Sequence, residues 1–297
     1  MHGWIILDKP LGLGSTQGVS AVKRALRTAG LGKAKVGHGG TLDPLATGVL
    51  PVAIGEATKL AGRMLDSDKE YAFTIAFGMQ TDTLDAEGTA VATSAERPAP
   101  ADLAAMLPCF TGAIEQMPPA FSALKVDGQR AYDLARRGEE VVLAPRAVTV
   151  HSLVLRDSPA EGGIDSVTLV ASVSKGTYIR SLARDIALAL GTVGHVTMLR
   201  RLKAGPFTLA HAISLDNLDE AAKGGRLEQH LLPLSAGLDD IPALALDPDQ
   251  AGALRQGRVL AGIAASDGLR FASLHDVPVA LVEVEDGNVR VVRGFNL

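Results

Sequence analysis

Two short runs hold residues whose types and spacing could do chemistry. The first is Gly37-His38-Gly39-Gly40-Thr41-Leu42-Asp43-Pro44, too rich in glycine to be regular helix or strand. The proline biases Asp43 toward extended backbone, so its carboxylate projects from a stiff turn. A carboxylate held this way can work as a base or as a nucleophile. The same residues also suit a plain Asp-Pro turn that bonds only its own backbone. The second run is Lys175-Gly176-Thr177-Tyr178-Ile179-Arg180-Ser181-Leu182. It opens a helix, and Arg180 falls in the first turn, where the macrodipole disfavours a cation by about 0.3–1 kcal/mol. An arginine tolerated there calls for an acid nearby, either an ordinary surface partner or a catalytic one. Tyr178, at the helix start, reads equally well as ordinary core.

Several other chemistries are excluded. The Gly37–Asp43 run lacks the G-x-x-x-x-G-K-[ST] pattern of a phosphate-binding loop, and it does not complete a G-x-G-x-x-G fingerprint. Ser122-Ala123-Leu124-Lys125 matches S-x-x-K, a pattern of serine acyl-enzymes, but neither S-D-N nor K-T-G accompanies it. One cysteine, Cys109, allows no disulfide framework and no cysteine metal cluster, which suits a reducing cytoplasm. His38, His151, His195 and His211 are scattered, without H-x-x-x-H spacing, so no metal or cofactor is expected.

The elements that must position these residues follow from periodicity. Trp4 to Leu7 predicts a buried strand, and Val19, Val22 and Leu26 predict a helix from Thr16 that stops at Gly30. Val49 to Ile54 predicts a strand, followed by a helix marked by Ala57, Leu60, Ala61 and Met64. Tyr71 to Phe77 alternates large with small, so its odd positions share one face and Tyr71 ends a row of core residues. A short helix is expected over 101–107, and strands over 148–155 and 167–174. Thr177 is the expected cap of a helix from Tyr178 to Leu190, closed by Gly191. Past about Leu234 the composition shifts, and Asp286-Gly287-Asn288 between two valine-rich runs predicts a hairpin.

The chain has 297 residues and a net charge of −4, unevenly spread. Residues 1–66 and 120–210 are basic on balance, whereas 67–119 and 211–297 are acidic. A positive footprint restricted to one face leaves such a pattern, and so does chance variation among solvated faces. The N-terminus lacks the basic start and apolar stretch of a signal peptide, and no apolar run reaches the ~18 residues of a membrane helix.

Taken together, the motifs resemble those of bacterial tRNA pseudouridine-55 synthases of the TruB type. The resemblance rests on Gly37 to Leu50, Asp8-Lys9-Pro10-x-Gly12, Asp66-Ser67-Asp68-Lys69-x-Tyr71, Pro118-Pro119-x-x-Ser122-Ala123-Leu124-Lys125-x-x-Gly128, Lys175 to Leu182 and Leu199-Arg200-Arg201. These occur in the family's order over roughly residues 3–210. Gly39 and Gly14 depart from the residues many relatives carry. The resemblance implies an α/β (α+β) pseudouridine synthase fold with a mixed central sheet flanked by helices. It also implies a catalytic domain over 1–238, an RNA-gripping insertion at about 118–146, and a small β-rich PUA-like domain over 239–297.

For function, the resemblance implies isomerisation of uridine to pseudouridine in the tRNA T-loop, with Asp43 as nucleophile or as base at C2′. It gives Arg180 as the ion partner of Asp43, and Tyr71 as the catalytic residue that stacks on the target base and can take the C5 proton. Tyr178 and Leu199 become pocket walls. His38 is the wedge that fills the gap left by the flipped base, and Lys9 and Lys125 are substrate contacts. The expected partner is tRNA through its T-arm, with no membrane, no obligatory protein partner and a monomeric state. The alternative is a non-catalytic RNA-binding or tRNA-folding protein on the same scaffold.

Overall fold

The structure is a computed structural model that describes residues 1–122, 124–126, 128–139, 141–157 and 162–297. A ten-stranded mixed sheet forms its centre. Eight of its strands run, edge to edge, Ala212–Ile213, Gly3–Lys9, Ala46–Ile54, Gly194–Ala204, Lys69–Phe77, Ser166–Val173, Arg146–Asp157 and Gly112–Gln116. The short strand Val36–His38 adds to 46–54, and Phe207–Thr208 folds back on 194–204. Two pairings are parallel, 212–213 with 3–9 and 46–54 with 194–204; the others are antiparallel.

Alternation along the first strand sorts its side chains between two cores. Ile5 and Leu7 pack with Val19, Val22 and Leu26 of the helix Ser15–Thr28, and with Leu218 of the helix Leu215–Lys223. Trp4 and Ile6 face the other side and meet Ala57, Leu60, Met64 and Phe207. The odd positions of the 69–77 strand behave as their alternation requires. Phe73, Ile75 and Phe77 are buried against Leu182, Ala183 and Ile186 of the helix Ile179–Ala189. Tyr71 and Leu199 are half-buried and touch both this cluster and the one beneath helix 15–28. They stand where two cores meet.

Three local expectations need correction, and one strand was not anticipated. The predicted helix over 57–64 begins as a 3-10 segment, Gly55–Leu60, before turning α-helical over Ala61–Asp66. The glycine-rich 36–44 run contains a three-residue strand at its start. Thr177 does not cap the 179–189 helix, because its hydroxyl donates to the Ser174 carbonyl at 2.9 Å. Tyr178 is the cap residue instead, and Gln116 takes over the hydrogen bonding there: Tyr178 N–H donates to Gln116 Oε1 at 2.7 Å, and Gln116 Nε2 donates to the Tyr178 carbonyl at 3.1 Å. The strand 194–204 had no counterpart in the periodicity.

The β-rich C-terminal unit is present as a four-stranded sheet of Ala243–Ala245, Gly268–Leu274, Val277–Glu285 and Asn288–Gly294, with its own apolar cluster around the helix Pro248–Arg255. It is not loosely appended. Ile241, Leu281 and Phe295 share a core with Trp4, Leu234 and Leu238. Lys59 Nζ donates to the Gly294 carbonyl at 2.8 Å, and the Asn296 amide donates to Glu56 Oε2 at 2.8 Å.

Candidate active site

The loop between the strands Val36–His38 and Ala46–Ile54 carries Asp43, and it is fastened from several sides. Ser15 Oγ accepts from the Leu42 amide at 2.8 Å and donates to the Leu42 carbonyl at 2.9 Å. The Gly12 amide donates to the Pro44 carbonyl at 2.8 Å, and the Ala46 amide donates to the Asp43 carbonyl at 3.0 Å. Lys9 donates to the carbonyls of Pro10, Leu13 and Pro44. Because Lys9 is fully buried and all three ammonium protons are committed to backbone, the substrate contact expected of it is not what this geometry offers. Lys9 is a brace under the loop. Burial is the main cause that lowers its pKa to about 8; Asp43 opposes this and Arg201 adds to it.

Arg180 meets Asp43 directly. Its Nη2 lies 2.9 Å from Asp43 Oδ2, while Nη1 lies 3.3 Å from Asp85 Oδ2. The same guanidinium donates to the Thr83 carbonyl at 2.8 Å and the Phe121 carbonyl at 3.0 Å. The arginine side chain is 9% exposed, Asp85 11% and Asp43 44%, so the cation and its second partner are desolvated while Asp43 reaches the opening. Asp85 is held in turn by Thr83 Oγ1 at 2.6 Å and by the Glu87 amide at 3.1 Å, both to Oδ1. Sequence reasoning missed Asp85. Its only signal was the demand for an acid near a first-turn arginine, which Asp43 alone already met.

A cavity of about 290 Å³ opens beside this ion-pair chain, lined by Asp43, Tyr71, Ser122, Tyr178, Arg180 and Leu199, with Lys69 and Arg201 also on its wall. Five of the predicted site residues therefore converge: Asp43, Tyr71, Tyr178, Arg180 and Leu199. Burial raises the pKa of the Tyr178 phenol, opposed by Ser122, Arg146 and Arg180, so it stays a hydrogen-bond donor at neutral pH. Ser122 Oγ is buried beside this phenol. His38 is half-buried on its short strand and is not part of the cavity wall. Its pKa is lowered, first by burial and then by the charge of Arg201. Lys125 begins the two-residue strand Lys125–Val126, but its side chain lies outside the described residues, as do Ala123 and Asp127. A second cavity, lined by residues such as Asp66, Lys203 and Asp240, holds none of the predicted residues. Among the described residues no group of three or more His, Cys, Asp or Glu could hold a metal ion.

A half-exposed carboxylate, a buried arginine and two tyrosines around a cavity suit acid–base or nucleophilic chemistry on a ligand with a flat face. Comparison with known proteins decides the family. Residues 24–179 match the TruB family pseudouridylate synthase N-terminal domain, and residues 180–239 match the tRNA pseudouridylate synthase B C-terminal domain. The chain belongs to the TruB family of pseudouridylate synthases. The tRNA pseudouridine synthase B of Novosphingobium aromaticivorans is 68% identical, covering 100% of this chain and 98% of that protein. That of Zymomonas mobilis subsp. mobilis is 62% identical over 100% and 96%. Among solved structures, a chain of an H/ACA RNP bound to a substrate RNA containing 2′-deoxyuridine has a TM-score of 0.74 at 25% identity, covering 99% of this chain and 85% of that chain. A chain of the archaeal box H/ACA sRNP Nop10-Cbf5 complex has a TM-score of 0.72 at 25% identity, over 99% and 86%. The mixed sheet with its flanking helices is thus a pseudouridine synthase fold.

Proposed function

We propose that this protein isomerises uridine to pseudouridine in tRNA, at position 55 of the T-loop, with Asp43 as the reacting carboxylate. The observation that carries the reading is the Asp43–Arg180 ion pair at 2.9 Å on the wall of a cavity that Tyr71, Tyr178 and Leu199 complete. The reaction breaks the N1–C1′ bond, and the electron pair leaves with the base. Asp43 either bonds to C1′ or takes the C2′ proton to leave a glycal. The base then turns; as C5 bonds to C1′ the Asp43–C1′ bond breaks, or on the glycal route the proton returns to C2′, and the C5 proton departs while N1 gains one. Atoms and charge balance without an oxidant, a nucleotide or water consumed. Arg180 gives the carboxylate an opposite charge and a fixed direction, while Tyr71 stacks on the ring and Tyr178 offers its phenolic proton.

A uridine within a folded T-loop must leave its stack to enter the cavity, at a cost of a few kcal/mol. His38 fills the vacated space in this reading, and the 118–146 insertion grips the arm by its shape and phosphates. Residues 1–238 form the catalytic domain, and 239–297 the PUA-like RNA-binding domain. The protein acts as a monomer in the cytoplasm, in keeping with its single cysteine; among the described residues no helix is long and apolar enough to cross a membrane.

The test is mass mapping of a T-arm transcript after incubation with the purified protein, alongside Asp43→Asn. Pseudouridine at position 55 is expected with wild type, and none with the variant, whose affinity for the transcript stays within a few-fold. Binding without modification by the wild type would transfer the case to the non-catalytic RNA-binding alternative.

A further inference from the structure

The mechanism above gives no task to Arg201, although it is one of the largest fully buried side chains, at 1% exposure. Burying a charge is costly unless it is paired, and among the described residues no carboxylate forms an ion pair with Arg201. Its fork is spent on backbone carbonyls. Nε donates to Val49 at 2.7 Å, Nη1 to Thr41 at 3.2 Å and Nη2 to Gly40 at 3.3 Å. Gly40 and Thr41 precede Asp43 in the loop, and Val49 follows it. One planar group therefore ties both limbs of the loop whose apex is the reacting carboxylate.

The strand that bears Arg201 cannot slide to relax this tie. Arg201 pairs in parallel with Gly48 and antiparallel with Tyr71, which sets it between the strand following Asp43 and the strand that carries the tyrosine. Gly48 has φ +99, and a Cβ there would lie 2.2 Å from the Arg201 carbonyl oxygen. The two backbones touch.

We infer that Arg201 is a positioning residue for Asp43: its guanidinium fixes both limbs of the 40–49 loop and so sets where the carboxylate meets the sugar. Arginine suits this task because its donors fan out in a rigid plane toward carbonyls on two chain segments, a reach that the compact lysine ammonium lacks. The charge also reaches its neighbours. Burial first, and Arg201 next, lower the pKa of both His38 and Lys69.

The inference rests on Asp43 being the reacting group, and the experiment separates the two. Arg201→Lys and Arg201→Gln are made in the full chain. Folded fraction is measured by denaturant titration, T-arm dissociation constant by filter binding, and single-turnover rate at saturating enzyme. With positioning, Arg201→Lys binds within threefold of wild type but reacts about 10- to 100-fold more slowly per folded molecule, as a displaced reacting group does. Arg201→Gln, without the charge, falls further, so lysine gives partial rescue. A purely structural role would lower the denaturation midpoint and leave the rate per folded molecule within twofold, which overturns the inference. So does a rise in dissociation constant with normal chemistry, since Arg201 then grips RNA. Failure of both variants to fold assigns Arg201 to the whole fold instead of one loop, and overturns it too. If Asp43→Asn keeps its turnover, the functional reading fails; if it is dead while Arg201→Lys is normal, only this inference fails.

Discussion

Replacing Arg180 by methionine removes a cation that serves two carboxylates and two carbonyls at once. The two ion pairs do not contribute equally. Asp43 is 44% exposed, so solvent screening leaves its pair a small share of the stability. Asp85 is 11% exposed and loses its only cationic partner among the described residues, the situation in which breaking a buried pair costs about 3–5 kcal/mol. Adding Asp85→Asn to Arg180→Met neutralises the stranded carboxylate and should return about 1–3 kcal/mol. Urea titrations of wild type, both single variants and the double variant close the cycle, with midpoints compared at constant slope. Arg180→Lys should recover part of the stability and less of the single-turnover rate, because the bidentate reach is lost. If Arg180→Met costs under about 1 kcal/mol, or if Asp85→Asn costs as much in the methionine background as in wild type, the three side chains are not a desolvated unit.

Gly48→Ala should destabilise the protein by more than about 2 kcal/mol, combining a left-handed backbone with a Cβ forced onto the Arg201 carbonyl, as thermal or urea unfolding will register. Lys69 is 8% exposed and its pKa is lowered to about 8, mainly by burial. Between pH 8 and 10.5 the folded state has released that proton while the unfolded state still holds it. Stability therefore rises with pH across this window. The difference in unfolding free energy between wild type and Lys69→Met should shift in favour of wild type by roughly 1–3 kcal/mol across it; a flat difference refutes the burial of this charge. Deleting residues 239–297 removes Ile241, Leu281 and Phe295 from the core around Trp4, at roughly 1.5–3 kcal/mol for each side chain. The truncated protein should unfold at much lower urea, with its remaining folded fraction still modifying a T-arm; an unchanged midpoint would mean that the two units do not share this core.

The elements that bury a single apolar stripe or face were legible from periodicity. Helix 15–28 and strands 3–9 and 69–77 lie close to where their valines, leucines and alternating aromatics put them. Strand 194–204 was not, because Arg200, Arg201 and Lys203 break the apolar pattern of what is a central strand. Its polar residues find partners no local rule can see: Arg201 bonds loop carbonyls, and Arg200 pairs with Asp8 across the sheet at 2.8 Å. The same limit applies to the site. An arginine in a first helical turn implies an acid, and the pair with Asp43 meets that demand, but Asp85 sits in a polar turn like many others. Leu84, next to it, has φ +62, a backbone state that a leucine gives no sequence warning of. Capping fails for a similar reason: Thr177 has the right chemistry, yet a glutamine from an edge strand occupies the helix start.

The order of strands in the central sheet also dictates a timetable. Strand 46–54 and strand 69–77 are separated by strand 194–204, which pairs with both and carries Leu199 and Arg201 between them. A chain emerging from the ribosome has completed both outer strands more than a hundred residues before the middle one exists. Until residue 204 is released, strand 69–77 and the 46–48 end of the other strand present open edges of unpaired amides and carbonyls, and such edges recruit other chains. Closure then requires a contact of long sequence separation, which is slow to form. The cavity cannot take shape earlier, because its floor arrives last. Premature termination or a stall before residue 194 should therefore yield an aggregation-prone fragment and not a partly active enzyme, and chaperone demand should concentrate on that interval of synthesis.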